Sequence, residues 1–108
     1  MKRGEVWWVE FDPAVGSEIR KTRPAVIVSN DAANRNLGRV VVIPLTSNAE
    51  RIYPGEAMVE INGTQSKAMS DQIMAADKKR LTKHLATISA AELKGLEKAM
   101  ALHLGILS

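Results

Sequence analysis

Apolar positions change their period once along this chain. As far as the basic stretch near Arg80 they fall in short runs or strict alternation, and beyond Ser89 they recur every three or four residues. The first pattern predicts strands and the second an amphipathic helix. Glu5 to Phe11 is aromatic and β-branched, hence a strand, with Trp7, Val9 and Phe11 on one face and Val6, Trp8 and Glu10 on the other. Large apolar groups on both faces call for two neighbours, one being the core and the other a second subunit. Pro24 opens the next strand, where its missing N–H does least harm, and Ala25 to Val28 is a continuous apolar run suited to a strand covered on both faces. Arg39 to Leu45 repeats that pattern, with Pro44 near its end. Ala57 to Ile61 alternates Met58 and Glu60 against Val59 and Ile61, a half-buried strand, and Asn62-Gly63 has hairpin-turn chemistry. Lys67 to Ala75 predicts one more strand, and Asp77 to Leu81 a tight basic turn.

Between these lie an opening loop of about ten residues from Asp12-Pro13 through Gly16-Ser17-Glu18, longer than a hairpin needs, and a short turn or single helical turn over Asp31–Asn36. Thr46-Ser47-Asn48 closes the Arg39 strand with three hydrogen-bonding side chains, and Pro54-Gly55 marks another turn. Ser89 and Glu92 form a capping box, and Leu93, Leu96, Met100, Leu104 and Leu107 share one helical face from about Ala90 to Leu104. Gly95 inside that helix costs roughly 1 kcal/mol relative to alanine, which close packing against a neighbour would explain, and Gly105 is placed to end it. Five or six strands followed by one helix predict a mainly β, α+β chain: a small antiparallel β-barrel closed by a C-terminal helix.

Length and composition narrow the class. The chain has 108 residues, the span of one domain over 1–108, and no cysteine, so neither a disulfide framework nor a thiolate metal site is expected. No apolar run approaches the roughly 18 residues that cross a bilayer. Met1 to Glu5 leads straight into the first strand pattern, so no signal peptide is expected, and the expected location is cytoplasmic. The net charge of +3 is mild, but its placement is not uniform. Arg20, Lys21 and Arg23 form one basic group; Lys78, Lys79, Arg80 and Lys83 form another. If folding brings the two together they make a basic surface suited to a polyanion.

Several chemistries lack their signatures. There is no phosphate-binding loop with its lysine and no dinucleotide fingerprint. His84, in a polar loop, and His103, on the terminal helix, are not expected to meet, so no metal centre and no two-histidine nuclease is expected. The carboxylates are scattered. Polar groups at strand ends remain. Arg23 enters one strand and Thr46 leaves the next. If those strands are antiparallel neighbours, the start of one lies beside the end of the other, and a guanidinium fork and a hydroxyl face one cleft. That pair suits a phosphodiester, although each alone reads as an ordinary surface arginine or strand-end threonine. Trp8 reads either as a base-stacking surface or as an interface or core residue.

Six stretches carry a resemblance: Arg3-Gly4-Glu5-Val6-Trp7; Asp12-Pro13 with Gly16-Ser17-Glu18; Arg23-Pro24-Ala25-Val26-Ile27-Val28-Ser29-Asn30-Asp31; Pro44-Leu45-Thr46-Ser47; Asp71-Gln72-Ile73; and Asp77-Lys78-Lys79-Arg80-Leu81. In this order and spacing they resemble the MazF/PemK family of toxin endoribonucleases over nearly the whole chain. The resemblance implies an SH3-like barrel shared with the CcdB gyrase toxins, and a homodimer. It implies cleavage of single-stranded RNA at short sequences with no metal or other cofactor, and an antitoxin partner whose acidic, flexible tail fills the RNA groove. Arg23 and Thr46 match the family's catalytic pair, Ser17 and Glu18 the loop beside the RNA, and Asn30 and Gln72 positions near the groove. Glu18 is the one candidate general base. The sequence departs at Met74, where many members carry arginine, and Lys78 and Lys79 are candidates to replace that basic contact. Two other readings remain: a CcdB-like toxin that binds a topoisomerase and cuts nothing, and an RNA-binding barrel without turnover.

Overall fold

The computed structural model describes residues 1–11, 15–18 and 21–106. Among the described residues there are seven strands: β1 (Glu5–Glu10), β2 (Thr22–Ile27), β3 (Arg39–Thr46), β4 (Glu56–Ile61), β5 (Thr64–Met69), β6 (Met74–Asp77) and β7 (Leu81–Thr87). The two helices are α1 (Asp31–Asn36) and α2 (Ala90–His103). Every strand pair is antiparallel, in the order β4-β5-β3-β2-β1-β7, with β6 also on β3. Strand β3 is shared: Arg39–Val42 pairs with β6, while Leu45 and Thr46 pair with Ala68 and Lys67 of β5. One long strand serving two partners along one edge curls the sheet into a half-barrel, with α2 packed on it. The mainly β fold with a C-terminal helix is as the sequence pattern predicts.

Alternation along β2 shows how both faces are filled. Val26 and Val28 join Val6, Ile43, Leu45, Val59 and Leu96 in the cluster beneath α2. Ala25 and Ile27 join Val9, Phe11, Val40 and Val42 in a second cluster on the opposite face. Each face of β1 thus meets an apolar cluster, at Val6 on one side and at Val9 on the other, while Trp8 beside Val6 stays exposed and leaves room on that face for a second subunit. Full burial of each such valine or isoleucine contributes about 1.5–3 kcal/mol.

Three further expectations change. The strand expected over Lys67–Ala75 is two strands, because Ser70–Gln72 forms a 3₁₀ turn and the Ser70 amide donates to the Gly55 carbonyl at 3.3 Å. The basic turn is real, with Lys78–Arg80 a 3₁₀ turn capped by Asp77, but it leads into β7, which the sequence pattern misses. His84 consequently lies in a strand, its ring stacked on Trp7 at 5.4 Å between centroids, rather than in a polar loop. Finally, Gly95 does not pack closely: a Cβ built there meets nothing within 4 Å. The hairpin is as expected, with Asn62 and Gly63 at φ 50 and 85, the pair of positive angles of a type I′ turn.

At the start of α2 the capping box forms: the Ser89 hydroxyl accepts from the Glu92 amide at 3.1 Å and the Glu92 carboxylate accepts from the Ser89 amide at 2.9 Å. At its end Gly105 takes φ 73, letting its amide reach the Leu102 carbonyl and that of Ile106 reach Ala101, a Schellman closure. Leu96 is fully buried and Leu93 and Met100 pack against the same cluster, whereas Leu104 is exposed. Leu107 lies outside the described residues.

Candidate active site

The β2–β3 ladder pairs Ala25 with Pro44, Val26 with Ile43 and Ile27 with Val42. Continued toward the start of β2, the same register sets Pro24 against Leu45 and Arg23 against Thr46. Pro24 makes this end rigid, since it fixes its own φ and holds Arg23 extended. The entry is also tied down: the Phe11 amide donates to the Lys21 carbonyl at 3.0 Å, while Lys21 adopts φ 68. A cleft of about 380 Å³ opens here, lined among others by Trp8, Lys21, Arg23, Thr46, Ser47 and Thr64. Arg23 and Thr46, half-buried, thus share one cavity. The Thr46 Oγ1 accepts from the Asn48 amide at 3.3 Å, a bond that leaves the hydroxyl proton to donate elsewhere.

Trp8 is 40% exposed on the wall of this cleft, so it is neither core nor fully covered. In register it lies between Pro24 of β2 and Lys83 of β7, and directly opposite residues share a face. The Arg80 guanidinium donates to the Glu10 carbonyl at 2.9 Å. Two members of the second basic group, Lys83 and Arg80, are therefore brought beside β1, next to the strand that carries Arg23 and that Lys21 leads into. Arg20 lies outside the described residues, as do Asp12 and Pro13.

The other expected contacts are dispersed. Lys78 turns away and donates to the Asn34 carbonyl of α1, and its own amide bonds the Gly38 carbonyl. Asn30 caps α1 by accepting from the Ala33 amide at 2.8 Å, and lines a separate groove with Met100 and Leu104. Both residues sit toward the Arg39 end of β3, the end away from Thr46. Gln72 is half-buried in the 3₁₀ turn between β5 and β6. Ser17 and Glu18 form a turn in which the Glu18 carboxylate accepts from the Val15 amide at 2.6 Å, and neither is among the described residues lining the cleft. Met74 begins β6 opposite Val42. Among the described residues, no three His, Asp or Glu side chains gather into a metal-binding group.

The sequence reading also passed over Lys67. It is the register partner of Thr46 across β3 and β5, and its ammonium is paired with Glu56 at 3.2 Å. Only the pairing of β5 with the end of β3 reveals it.

The description of PemK-like, MazF-like toxins of type II toxin–antitoxin systems matches residues 2–104. The chain belongs to this family: it is a MazF-type toxin endoribonuclease. It is 43% identical to "Endoribonuclease MazF9" of Mycobacterium tuberculosis, over 100% of this chain and 99% of that one. Among solved structures it is similar to MazF of Deinococcus radiodurans, with a TM-score of 0.86, 28% identity, and 97% and 96% of the two chains covered. It is similar as well to a mycobacterial endoribonuclease in complex with its cognate antitoxin, with a TM-score of 0.83, 27% identity, and 100% and 98% covered. Membership disfavours the CcdB-like reading, in which the fold is kept and no RNA is cut. Among the described residues no helix is long and apolar enough to cross a membrane.

Proposed function

We propose that this MazF-type toxin cleaves single-stranded RNA at short sequences without a metal, using Arg23 and Thr46. The observation that carries the reading is their common cleft, formed where the start of β2 meets the end of β3. In the reaction the ribose O2′ attacks the adjacent phosphorus and its proton passes to a base. The bond from phosphorus to O5′ breaks, and O5′ takes up a proton. The products are a 2′,3′-cyclic phosphate and a 5′-hydroxyl, and no water is consumed. The nucleophile belongs to the substrate, which removes the need for a metal-bound hydroxide and explains a preference for RNA over DNA.

Arg23 supplies charge. Its planar fork stabilises the oxygens of the crowded phosphorus, and one N–H protonates or hydrogen-bonds the departing O5′. A guanidinium with a pKa above about 12 is a poor base near neutrality, so electrostatic stabilisation is its first role. Thr46 donates to a non-bridging oxygen. Trp8 offers an exposed ring for an unstacked base, and Lys21, Lys83 and Arg80 give salt-dependent attraction for the backbone.

The mycobacterial neighbour solved with its cognate antitoxin supports a corresponding partner here, whose flexible acidic segment lies along the same basic cleft. The working form is a homodimer in the cytoplasm. The test is incubation of the purified protein with a defined single-stranded transcript. The expected ends are 2′,3′-cyclic phosphate and 5′-hydroxyl, with no product from Arg23→Ala. Undiminished cleavage by that variant overturns the reading.

A further inference from the structure

Lys21 holds an unfavourable backbone conformation. It precedes β2 with φ 68, in the left-handed region that residues with a Cβ rarely adopt. Glycine adopts that region freely, and asparagine or aspartate tolerates it through local hydrogen bonds, but a lysine has neither advantage. The backbone is held there nonetheless, because the Lys21 carbonyl accepts from the Phe11 amide at 3.0 Å, extending the pairing of β1 with β2. The root of this long side chain is thereby fixed two residues before Arg23. Lys21, Arg23, Thr46, Ser47 and Thr64 all line the one cleft. Backbone strain of this kind gathers at functional sites.

An alkoxide is a poor leaving group, so breaking the bond from phosphorus to O5′ calls for a proton donor. The described residues lining the cleft offer hydroxyls, an indole, a guanidinium and an ammonium. Of these side-chain types the ammonium is the strongest acid, with an ordinary pKa of about 10.4 against more than about 12 for a guanidinium. We propose that Lys21 is the general acid of the cleavage, giving a proton from Nζ to O5′. This role rests on the reading of Arg23 and Thr46 as the phosphate contacts. As the bond to O5′ breaks, its electron pair stays on O5′ and the proton of Nζ joins it. The neutral amine then regains a proton from solvent. Arg23 keeps its fork on the oxygens of the crowded phosphorus and only hydrogen-bonds O5′. Fixed charge thus sits where charge accumulates, and an exchangeable proton where one must be delivered.

The test uses the full chain and a leaving group that needs no proton. Sequencing the 5′-ends released from a defined transcript locates a cut. Two short RNAs are then made around it, one natural and one with sulfur in place of the bridging O5′. Lys21→Gly removes the ammonium, and glycine takes φ 68 without strain, so a thermal melt should show Tm no lower than the wild type. In single turnovers at saturating enzyme, Lys21→Gly is expected to cut the oxygen-linked RNA about 10²-fold more slowly, in the range of general acid catalysis. On the sulfur-linked RNA it should stay within about threefold of the wild type, because a thiolate departs unprotonated. Arg23→Ala should be slow on both. Lys21→Arg, which keeps the charge but is the weaker acid, should bind as the wild type does and remain slow on the oxygen linkage. Equal slowing of Lys21→Gly on the two linkages, or full speed of Lys21→Arg, would show that the ammonium only attracts the backbone, and overturns the acid role while leaving the ribonuclease reading intact. A wild type that cuts neither the transcript nor the short RNAs overturns both.

Discussion

Arg23 and Thr46, distant along the chain, line one cleft because β2 starts beside the end of β3. The register therefore sets the spacing between charge and hydroxyl, not a flexible loop. Replacing Arg23 by alanine is expected to cut the cleavage rate by at least about 10²–10³, the usual cost of one donor aimed at developing charge. Arg23→Lys keeps the charge and loses the fork, and should recover only part of that rate. Arg23 is half-buried and outside both apolar clusters, so a thermal melt should show Tm within about 8 °C of the wild type. Single-turnover kinetics on one RNA, alongside the melt, check both statements.

Thr46 separates two roles for a hydroxyl. As a donor to a non-bridging oxygen, its loss in Thr46→Ala should slow cleavage about 10²-fold, while Thr46→Ser, which keeps the hydroxyl, should stay within about tenfold. Equal defects in the two variants would show that the methyl group, and hence packing, is what matters. Because the nucleophile is the substrate's own O2′, excess chelator should leave the wild-type rate unchanged, measured on the same RNA.

Much of this site is legible from residue order. Ala25–Val28 and Arg39–Leu45 are apolar without interruption, so their burial between two layers can be read directly, and two such strands separated by a short turn pair antiparallel. What cannot be read is which edge of β3 takes which partner. Ser70-Asp71-Gln72 sits inside a strand-like run, and its turn chemistry shows only once Ser70 meets Gly55. Strand β7 is hidden for a different reason. Its register on β1 shifts twice, so its side chains do not alternate strictly, and only Leu81 is buried. Those same long-range pairings bring Lys83 to Trp8 and Lys67 to Thr46. Conversely, the motif holding Lys78 is recognisable in sequence, but its side chain is taken up by the Asn34 carbonyl.

Gly95 offers a clean stability test. It lies inside α2, has no positive φ, and a Cβ there meets nothing within 4 Å. Gly95→Ala should raise stability by about 0.5–1 kcal/mol, by reducing the freedom of the unfolded chain and restoring helix propensity. Urea melts should shift in midpoint with an unchanged slope. A destabilised variant would mean that this face of the helix is occupied by a partner in solution.

Glu92 joins the helix cap to the sheet. One carboxylate oxygen accepts from the Ser89 amide at 2.9 Å and the other from the Glu60 amide of β4 at 2.7 Å. Burial pushes its pKa up, but the bonds from the Ser89 and Glu60 amides and the Ser89 hydroxyl outweigh this and hold it below the ordinary glutamate value. A carboxyl whose folded pKa is depressed adds stability above its unfolded pKa, about 4.3, and loses it as pH falls through the lower folded value. Glu5 and Asp31 are shifted in the same direction. Bonds from the Trp7 side chain and the Lys2 amide overcome burial for Glu5, and for Asp31 the Arg3 amide leads. Acid melting of the wild type alone would therefore mix three groups. Glu92→Ala isolates one. At pH 7 it should cost about 1–2 kcal/mol, the usual worth of a helix cap, and its deficit against the wild type should shrink as pH drops below about 4.3. Melting curves that stay parallel from pH 7 down to pH 3 would show that the charge on Glu92 contributes nothing to holding α2 on β4.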